Sequence, residues 1–364
     1  MAQTLYESGG DAVRTAFRNQ VRYCAANDAP ITARVVQMIG DALDRADGNA
    51  FLERIRDWRG APLADALPLR SAGGFHALHL SGTEPALSTI YRDAAADDAA
   101  IIADVLARRV TDLLPWLDGP PQTNEAGRSS NFIAAMLWLA EQGLPPRFEC
   151  REIGSSGGIN LMLDRYRYEL GGVGVGPQPG VLEFAPEWRG LPPPNRAIAI
   201  ASLKGCDVAP VDLADPAQAL RLKAYIWPEH TVRFARMDAA IAAARQSAPE
   251  LVRMNAADFV EAELARPQAV GTSRVLMHSI VWQYVPADQK ARVTAAMEAA
   301  GALATPERPL AWIALEANNT LAVHELTVRY WPGGEQRVQL GTAHAHGAWL
   351  EMLSPPVASA WPSG

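Results

Sequence analysis

The sequence predicts an α/β protein whose mostly parallel sheet ends in an antiparallel hairpin and is preceded by a helical N-terminal module. Three observations predict it. Apolar residues recur at helical spacing through the first third, with no alternating, strand-like run before about residue 147. From there, short apolar runs alternate with helical stretches, the pattern of a parallel sheet covered on both faces. Near the end, two runs flank a Trp-Pro-Gly-Gly-Glu turn, which reads as a hairpin.

In chain order, Val13, Phe17, Val21 and Cys24 mark one helix face, and Val35, Ile39 and Leu43 mark a second after the Pro30 start. Ile102, Leu106, Val110 and Leu113 repeat the pattern before Pro115, so residues 1–117 form the helical module and 118–364 the α/β domain. The break at 119–125 precedes a helix that Thr123 or Asn124 can cap, with Ile133, Met136, Leu137 and Ala140 on its apolar face. Gly143 ends it. Phe148–Ile153 is the first strand, followed by a Gly/Ser turn and a helix from about Gly158. Residues 171–197, rich in Gly and Pro, form an irregular insertion. Further strands fall at Ala197–Leu203, Leu251–Met254, Val275–Val281 and Leu310–Leu315, with helices at Thr231–Arg245, Ala256–Leu264 and Ala287–Ala300. Val323–Tyr330 and Arg337–Ala343 make the hairpin.

Composition narrows the function. The chain has 364 residues, 49% of them hydrophobic and 20% charged, enough to bury a full core. With 33 basic and 40 acidic residues the net charge is −7, which argues against a nucleic-acid binder, since phosphate contacts need clustered Lys and Arg. Cys24, Cys150 and Cys206 show no CxxC spacing, which leaves no disulfide framework or cysteine zinc site. The first twenty residues carry no apolar core of a signal peptide, and no eighteen-residue apolar run occurs, so a cytoplasmic protein without membrane contact is expected.

The sharpest local signal is Glu152-Ile153-Gly154-Ser155-Ser156-Gly157-Gly158-Ile159-Asn160, placed where a strand hands over to a helix. Small residues there let a ligand approach the backbone, and a helix start offers free N–H groups. The run is neither a GxGxxG dinucleotide fingerprint nor a Walker loop. It resembles the first motif of class I S-adenosylmethionine-dependent methyltransferases: Glu152, Gly154 and Gly158 match, and Ser156 replaces the middle glycine. The resemblance implies a Rossmann-like sheet whose last strand inserts antiparallel. It implies that Glu152, Gly154, Ser155, Ser156, Gly158 and Asn160 wrap S-adenosylmethionine. Asp207, after the second strand, would hold the ribose, with Asp212 and Asp238 as rivals, and Asp258 would lie near the adenine amine unless it or Asn255 merely caps a helix. The run from Val275 to Pro286 is similar to the fourth strand of that fold, which places His278, Gln283 and Tyr284 on the substrate side.

A closer resemblance spans nearly the whole chain. The runs 122–128, 152–161, 164–168, 205–212, 278–284 and 343–347 together resemble a bacterial family catalogued as domain of unknown function 2332, which carries no assigned reaction.

The remaining polar clusters fit this frame. Gln122, Asn124 and Arg128 crowd one helix start, where amides and a guanidinium suit a carboxylate or amide ligand. His344 and His346 stand two apart and share a face if extended. His278, Tyr284 and His344 are the candidate general bases, and His346 lies beside the substrate. The leading expectation is a methyltransferase acting on a small-molecule acceptor. A nucleoside- or nucleotide-binding relative without transfer activity is the alternative. A metal hydrolase on His344 and His346 would need His278 or Glu316 to complete its ligands. Gly154→Val is expected to abolish cofactor binding and leave the fold largely intact.

Overall fold

The computed structural model of the chain describes residues 10–46, 48–92, 98–318 and 323–353. Two compact units result: Met1–Thr123 with Asp215–Ala235, and Asn124–Ala214 with Arg236–Gly364.

The first unit is helical. Its helices include Gly10–Ala26, Pro30–Ala42, Ala50–Arg56, Leu67–Leu80, Asp98–Arg108 and Pro216–Ala224. The apolar faces of all but the last meet in one core that contains Phe17, Val36, Ile39, Phe51, Phe75 and Val105, and the last packs through Ala224 in a second cluster with Ala77, Trp116 and Tyr225. The Pro30 helix has no side-chain cap of its own. Glu229 supplies it, accepting from Ile31 N at 2.6 Å, Thr32 N at 3.0 Å and Thr32 Oγ1 at 2.9 Å. His76 is buried with its Nδ1 3.0 Å from the Ala224 carbonyl, and its ring stacks on Tyr91. Burial drives its pKa down to about 4; the Ala224 hydrogen bond opposes the shift, and His79 and Lys223 add to it. A depressed histidine means that the unfolded chain binds the extra proton. The contribution to stability is complete above the ordinary value of 6.5 and is lost as pH falls toward 4, by about 3 kcal/mol in all. Acid titration of unfolding in the wild type and in His76→Gln checks this: equal slopes between pH 6.5 and 4 in both would refute it.

The second unit is built on strands β1 (Arg147–Ile153), β2 (Arg167–Leu170), β3 (Val173–Val175), β4 (Glu183–Phe184), β5 (Glu187–Gly190), β6 (Ala199–Asp207), β7 (Leu251–Arg253), β8 (Ser273–Ser279), β9 (Leu310–Asn318), β10 (Val323–Trp331), β11 (Gly334–Ala343) and β12 (Trp349–Met352). Among the described residues, nine of them form one sheet in the order β5-β12-β11-β10-β9-β8-β1-β6-β7. The pairs from β7 through β6, β1 and β8 to β9 are parallel, and β9, β10, β11 and β12 follow as antiparallel neighbours. The mixed α/β class and the C-terminal hairpin are thus as expected.

Three details differ from the sequence reading. The strand beside β9 is β10, the next in the chain, and not the last strand inserted between earlier ones; strands that follow one another in the chain are the commonest neighbours in a sheet. The Gly/Ser turn is followed by a 3₁₀ run, Ile159–Arg165, and not by an α-helix. The Gly/Pro-rich segment is less irregular than its composition suggests: β2 pairs with β3 and β4 in a small second sheet, and β5 adds an edge strand beside β12.

Side-chain alternation assigns the faces. Ile153, Leu276, Leu310 and Trp331 share a core with the helices Ala256–Leu264 and Ala287–Gly301. On the opposite face the helix Ser129–Glu141 is buried along almost its whole length, and its Trp138 packs edge-on against Tyr330. The chain leaves β1 toward β6 and β7 on one side and returns to β8 and β9 on the other. The ends of β1 and β8 therefore mark the topological switch point, the place where open α/β sheets hold ligands.

Candidate functional site

The turn after β1 reverses the chain through three left-handed residues, Gly154 (φ +69°), Ser156 (φ +52°) and Gly158 (φ +72°). A Cβ at Gly154 would overlap the Val281 side chain, with Val281 Cβ at 2.8 Å and Cγ1 at 3.0 Å. One at Gly158 would meet Pro249 Cγ at 2.8 Å. The glycines are thus required by protein packing. This corrects the expectation for Gly154→Val: the space a valine would enter belongs to Val281, so the fold itself is at risk.

Much of the turn's backbone is bound within the protein. Ser155 N donates to the Cys206 carbonyl at 3.0 Å, and Gly158 N to the Ser155 carbonyl at 2.7 Å. Asn124 reaches in from the preceding segment, its Nδ2 donating to the Ser155 carbonyl at 2.6 Å and its Oδ1 accepting from Ile159 N at 3.2 Å. Asn124 therefore fastens the turn instead of capping the helix Ser129–Glu141, which has no side-chain cap; Glu125 caps the 3₁₀ turn Ala126–Arg128 just before it, accepting from Gly127 N. Asp207 stands at the end of β6 with both oxygens engaged: Oδ2 accepts from Ser156 N and Oδ1 from Ala209 N, each at 2.8 Å.

Buried acceptors without partners lie at the same turn. Glu152 is 2% exposed. Its Oε1 accepts from Asn160 Nδ2 at 2.9 Å, whereas Glu152 Oε2, Asn160 Oδ1 and Ser156 Oγ have no partner. Burial raises the Glu152 pKa to about 7; the hydrogen bond from Asn160 and the charge of Arg128 oppose the shift, and Asp207 adds to it. Arg128 is buried, and its Nε donates to the Ala345 carbonyl at 2.9 Å. That contact ties the segment before Ser129 to the loop after β11, where a Cβ on Gly127 would lie 2.6 Å from the His346 carbonyl oxygen.

A second cluster follows β8. Register pairs Glu152 with Met277, so His278, the next residue, faces the opposite side, together with Trp312 and Glu316 of β9. His278 Nδ1 lies 2.6 Å from Glu316 Oε1, which also accepts from Val281 N and Trp282 N at 3.2 Å. Between them Ile280 has φ +53°, a strained conformation for a β-branched residue, held by its N–H to the Leu315 carbonyl. His278 is buried, and its Nε2 has no partner.

The other sequence candidates are more dispersed. Gln122 falls in the helical unit. Gln283 and Tyr284 are exposed. Asp258 binds Arg292 at 2.7 Å and Asn255 at 2.6 Å on the surface, and Asn255 is the helix N-cap. His344 and His346 belong to the turn joining β11 to β12, where His344 Nδ1 accepts from His346 N at 3.2 Å. Among the described residues no three His, Cys, Asp or Glu side chains come together as metal ligands, so neither His278 nor Glu316 completes a set with the histidine pair. No helix among them is long and apolar enough to cross a membrane. Sequence reasoning missed His324, which burial, Arg128 and His344 hold below its ordinary pKa against the pull of Glu316. It also missed Glu316 as a partner of His278. Period-two counting along β9 was the available signal, since it puts Trp312, Ala314 and Glu316 on one face.

No curated protein and no solved structure matches the chain. A family model described as "Uncharacterized protein conserved in bacteria (DUF2332)" matches residues 14–352. With the match covering nearly its whole length, the chain belongs to the DUF2332 family.

Proposed function

We propose that this protein is an S-adenosylmethionine-dependent methyltransferase for a small-molecule acceptor. The observation that carries the reading is the pair of unpartnered buried acceptors, Glu152 Oε2 and Asn160 Oδ1, at the switch point of the sheet. Leaving such atoms unsatisfied costs about 1–3 kcal/mol each. A ligand ammonium brings the hydrogen-bond donors and the positive charge that the pair lacks. The residues fit the rest of the cofactor as well. Asp207 has accepted two hydrogen bonds, but an ionised carboxylate offers about four lone-pair sites, which leaves capacity for ribose hydroxyls. Val208, directly after it, is 67% exposed and offers an apolar platform to a flat base.

When bound, the cofactor supplies an already activated methyl group, so the chain's own work is alignment and exclusion of water. Asn160 orients Glu152, Glu152 and Asn160 hold the cationic end, and Asp207 fixes the turn against β6. Calorimetry with S-adenosylmethionine and S-adenosylhomocysteine tests the reading. Binding in the micromolar range is expected for both, weakened at least ~10-fold in Glu152→Gln, in line with the loss of one charge-assisted contact. An absence of heat with either compound at high micromolar concentration refutes it.

A further inference from the structure

Ser156 carries two penalties that a glycine in its place would avoid. Its φ of +52° lies in the left-handed region, which an L-residue enters only under strain. Its side chain is 7% exposed, and its Oγ has no partner. The turn already uses glycine at 154, 157 and 158. Ser155 shows the contrast, since its Oγ donates to the Glu152 carbonyl at 3.1 Å and so serves the fold. The Ser156 backbone cannot relax out of its strained region, because it is held on both sides. Its N–H donates to Asp207 Oδ2 at 2.8 Å, and its carbonyl accepts from Val211 N at 3.0 Å. A strained residue with a buried, idle hydroxyl thus stands in the same turn as Glu152 and Asn160.

Asp207 sets the chemistry of the missing partner. The amide nitrogen and hydroxyl oxygen of one serine are roughly 3–4 Å apart, so Ser156 Oγ lies within about 7 Å of Asp207 Oδ2. Two adjacent hydroxyls of one ligand, each in a hydrogen bond of about 2.7 Å, bridge such a span. An ionised carboxylate only accepts, whereas a serine hydroxyl also donates. A vicinal diol answers both: its O–H groups donate to Asp207, and one of its oxygens accepts from Ser156. The turn is open on this side, where Asp207 is partly exposed and Val208 and Ala209 are exposed. We propose that Ser156 is a specificity-determining residue, the donor arm of a diol clamp with Asp207 that selects ribonucleosides over their 2′-deoxy counterparts. The inference rests on the methyltransferase reading, which puts a ribose against Asp207. A 2′-deoxyribose leaves one arm unpaired, and a buried polar group left without its partner is what gives such selection its size.

Calorimetry with S-adenosylhomocysteine and its 2′-deoxy analogue, on the full chain and on Ser156→Gly and Ser156→Ala, tests the clamp beside urea unfolding of the same proteins without ligand. The wild type should bind the ribose form at least ~10-fold more tightly, and both variants should bring the ratio below about three-fold. Ser156→Gly should at the same time be more stable than the wild type, by about five-fold in the unfolding equilibrium constant, because strain and idle hydroxyl go together. A hydroxyl that serves only the fold gives the opposite sign. Three results overturn the proposal: equal binding of the two forms by the wild type, undiminished discrimination in either variant, or a lower urea midpoint in Ser156→Gly. If S-adenosylhomocysteine binds without discrimination, only the clamp has failed. If it does not bind, the methyltransferase reading has failed, and adenosine against 2′-deoxyadenosine tests the clamp alone. A preference for adenosine that Ser156→Gly loses then upholds it, and equal binding or none overturns it.

Discussion

Replacing Gly154 by valine is expected to destabilise the α/β unit by about 3–5 kcal/mol, from overpacking and backbone strain together. Two independent effects act at this one position. At φ +69° every L-residue is strained, and the new Cβ would sit inside van der Waals distance of Val281. Val281 has little room to yield. Its N–H is held by Glu316, and the preceding Ile280 is already in the left-handed region. Alanine should therefore show most of the effect of valine, because the first added carbon is the one that overlaps. Urea unfolding of Gly154→Ala, Val281→Ala and the double variant checks the cause. The two changes should couple by about 1–2 kcal/mol, since truncating Val281 removes part of the overlap. A midpoint for Gly154→Ala equal to that of the wild type would show that the turn relaxes freely. Loss of ligand binding in Gly154→Val alone says nothing about a ligand contact, because unfolding produces the same result.

The order of strands and helices was legible because burial imposes a period, and the period survives in the sequence. The helices at 256–264 and 287–301 and strands β1, β7, β8 and β10 fall within two residues of their expected ends. The helix expected from Gly158 was not legible as a 3₁₀ run. Ile159 to Arg165 is apolar enough for either, and the choice follows from tertiary contacts: Tyr166 donates to the Ile159 carbonyl at 2.8 Å, and Asn124 takes the Ile159 N–H. In the site, the acidic residue and small residues of the turn could be read from their spacing, but their partners could not. Asn124 lies 31 residues from Ser155, and Glu316 lies 38 from His278. Such pairs are set by register between neighbouring strands and by a segment folding back over the sheet, neither of which leaves a local pattern. His324 escaped for the same reason: its role depends on Arg128 and His344, which reach it from other elements.

Glu152→Gln is expected to make the protein more stable above pH 7 and worse at holding a cationic ligand. The buried carboxyl titrates at about 7, against an ordinary value of 4.5. Its pKa is raised in the folded state, so between those values the native protein binds more protons than the unfolded chain. Its stability is then greatest below pH 4.5, falls as pH rises through that window and levels off above about 7. The full change is about 3 kcal/mol. Glutamine keeps the shape and the contact with Asn160 but has no proton to lose, so the fall with pH should vanish in the variant. Denaturant unfolding at pH 5 and pH 8 reads this directly: the wild type should lose stability between the two pH values relative to Glu152→Gln, and parallel behaviour would refute the assignment. Affinity should run the other way. A cation binds the ionised carboxyl, so S-adenosylmethionine should bind about ten-fold more weakly for each pH unit below 7 in the wild type, and with little pH dependence in the variant. A buried acid that lowers stability at neutral pH and has one oxygen unpartnered has no structural rationale within the fold; a ligand that supplies the missing donors would provide one.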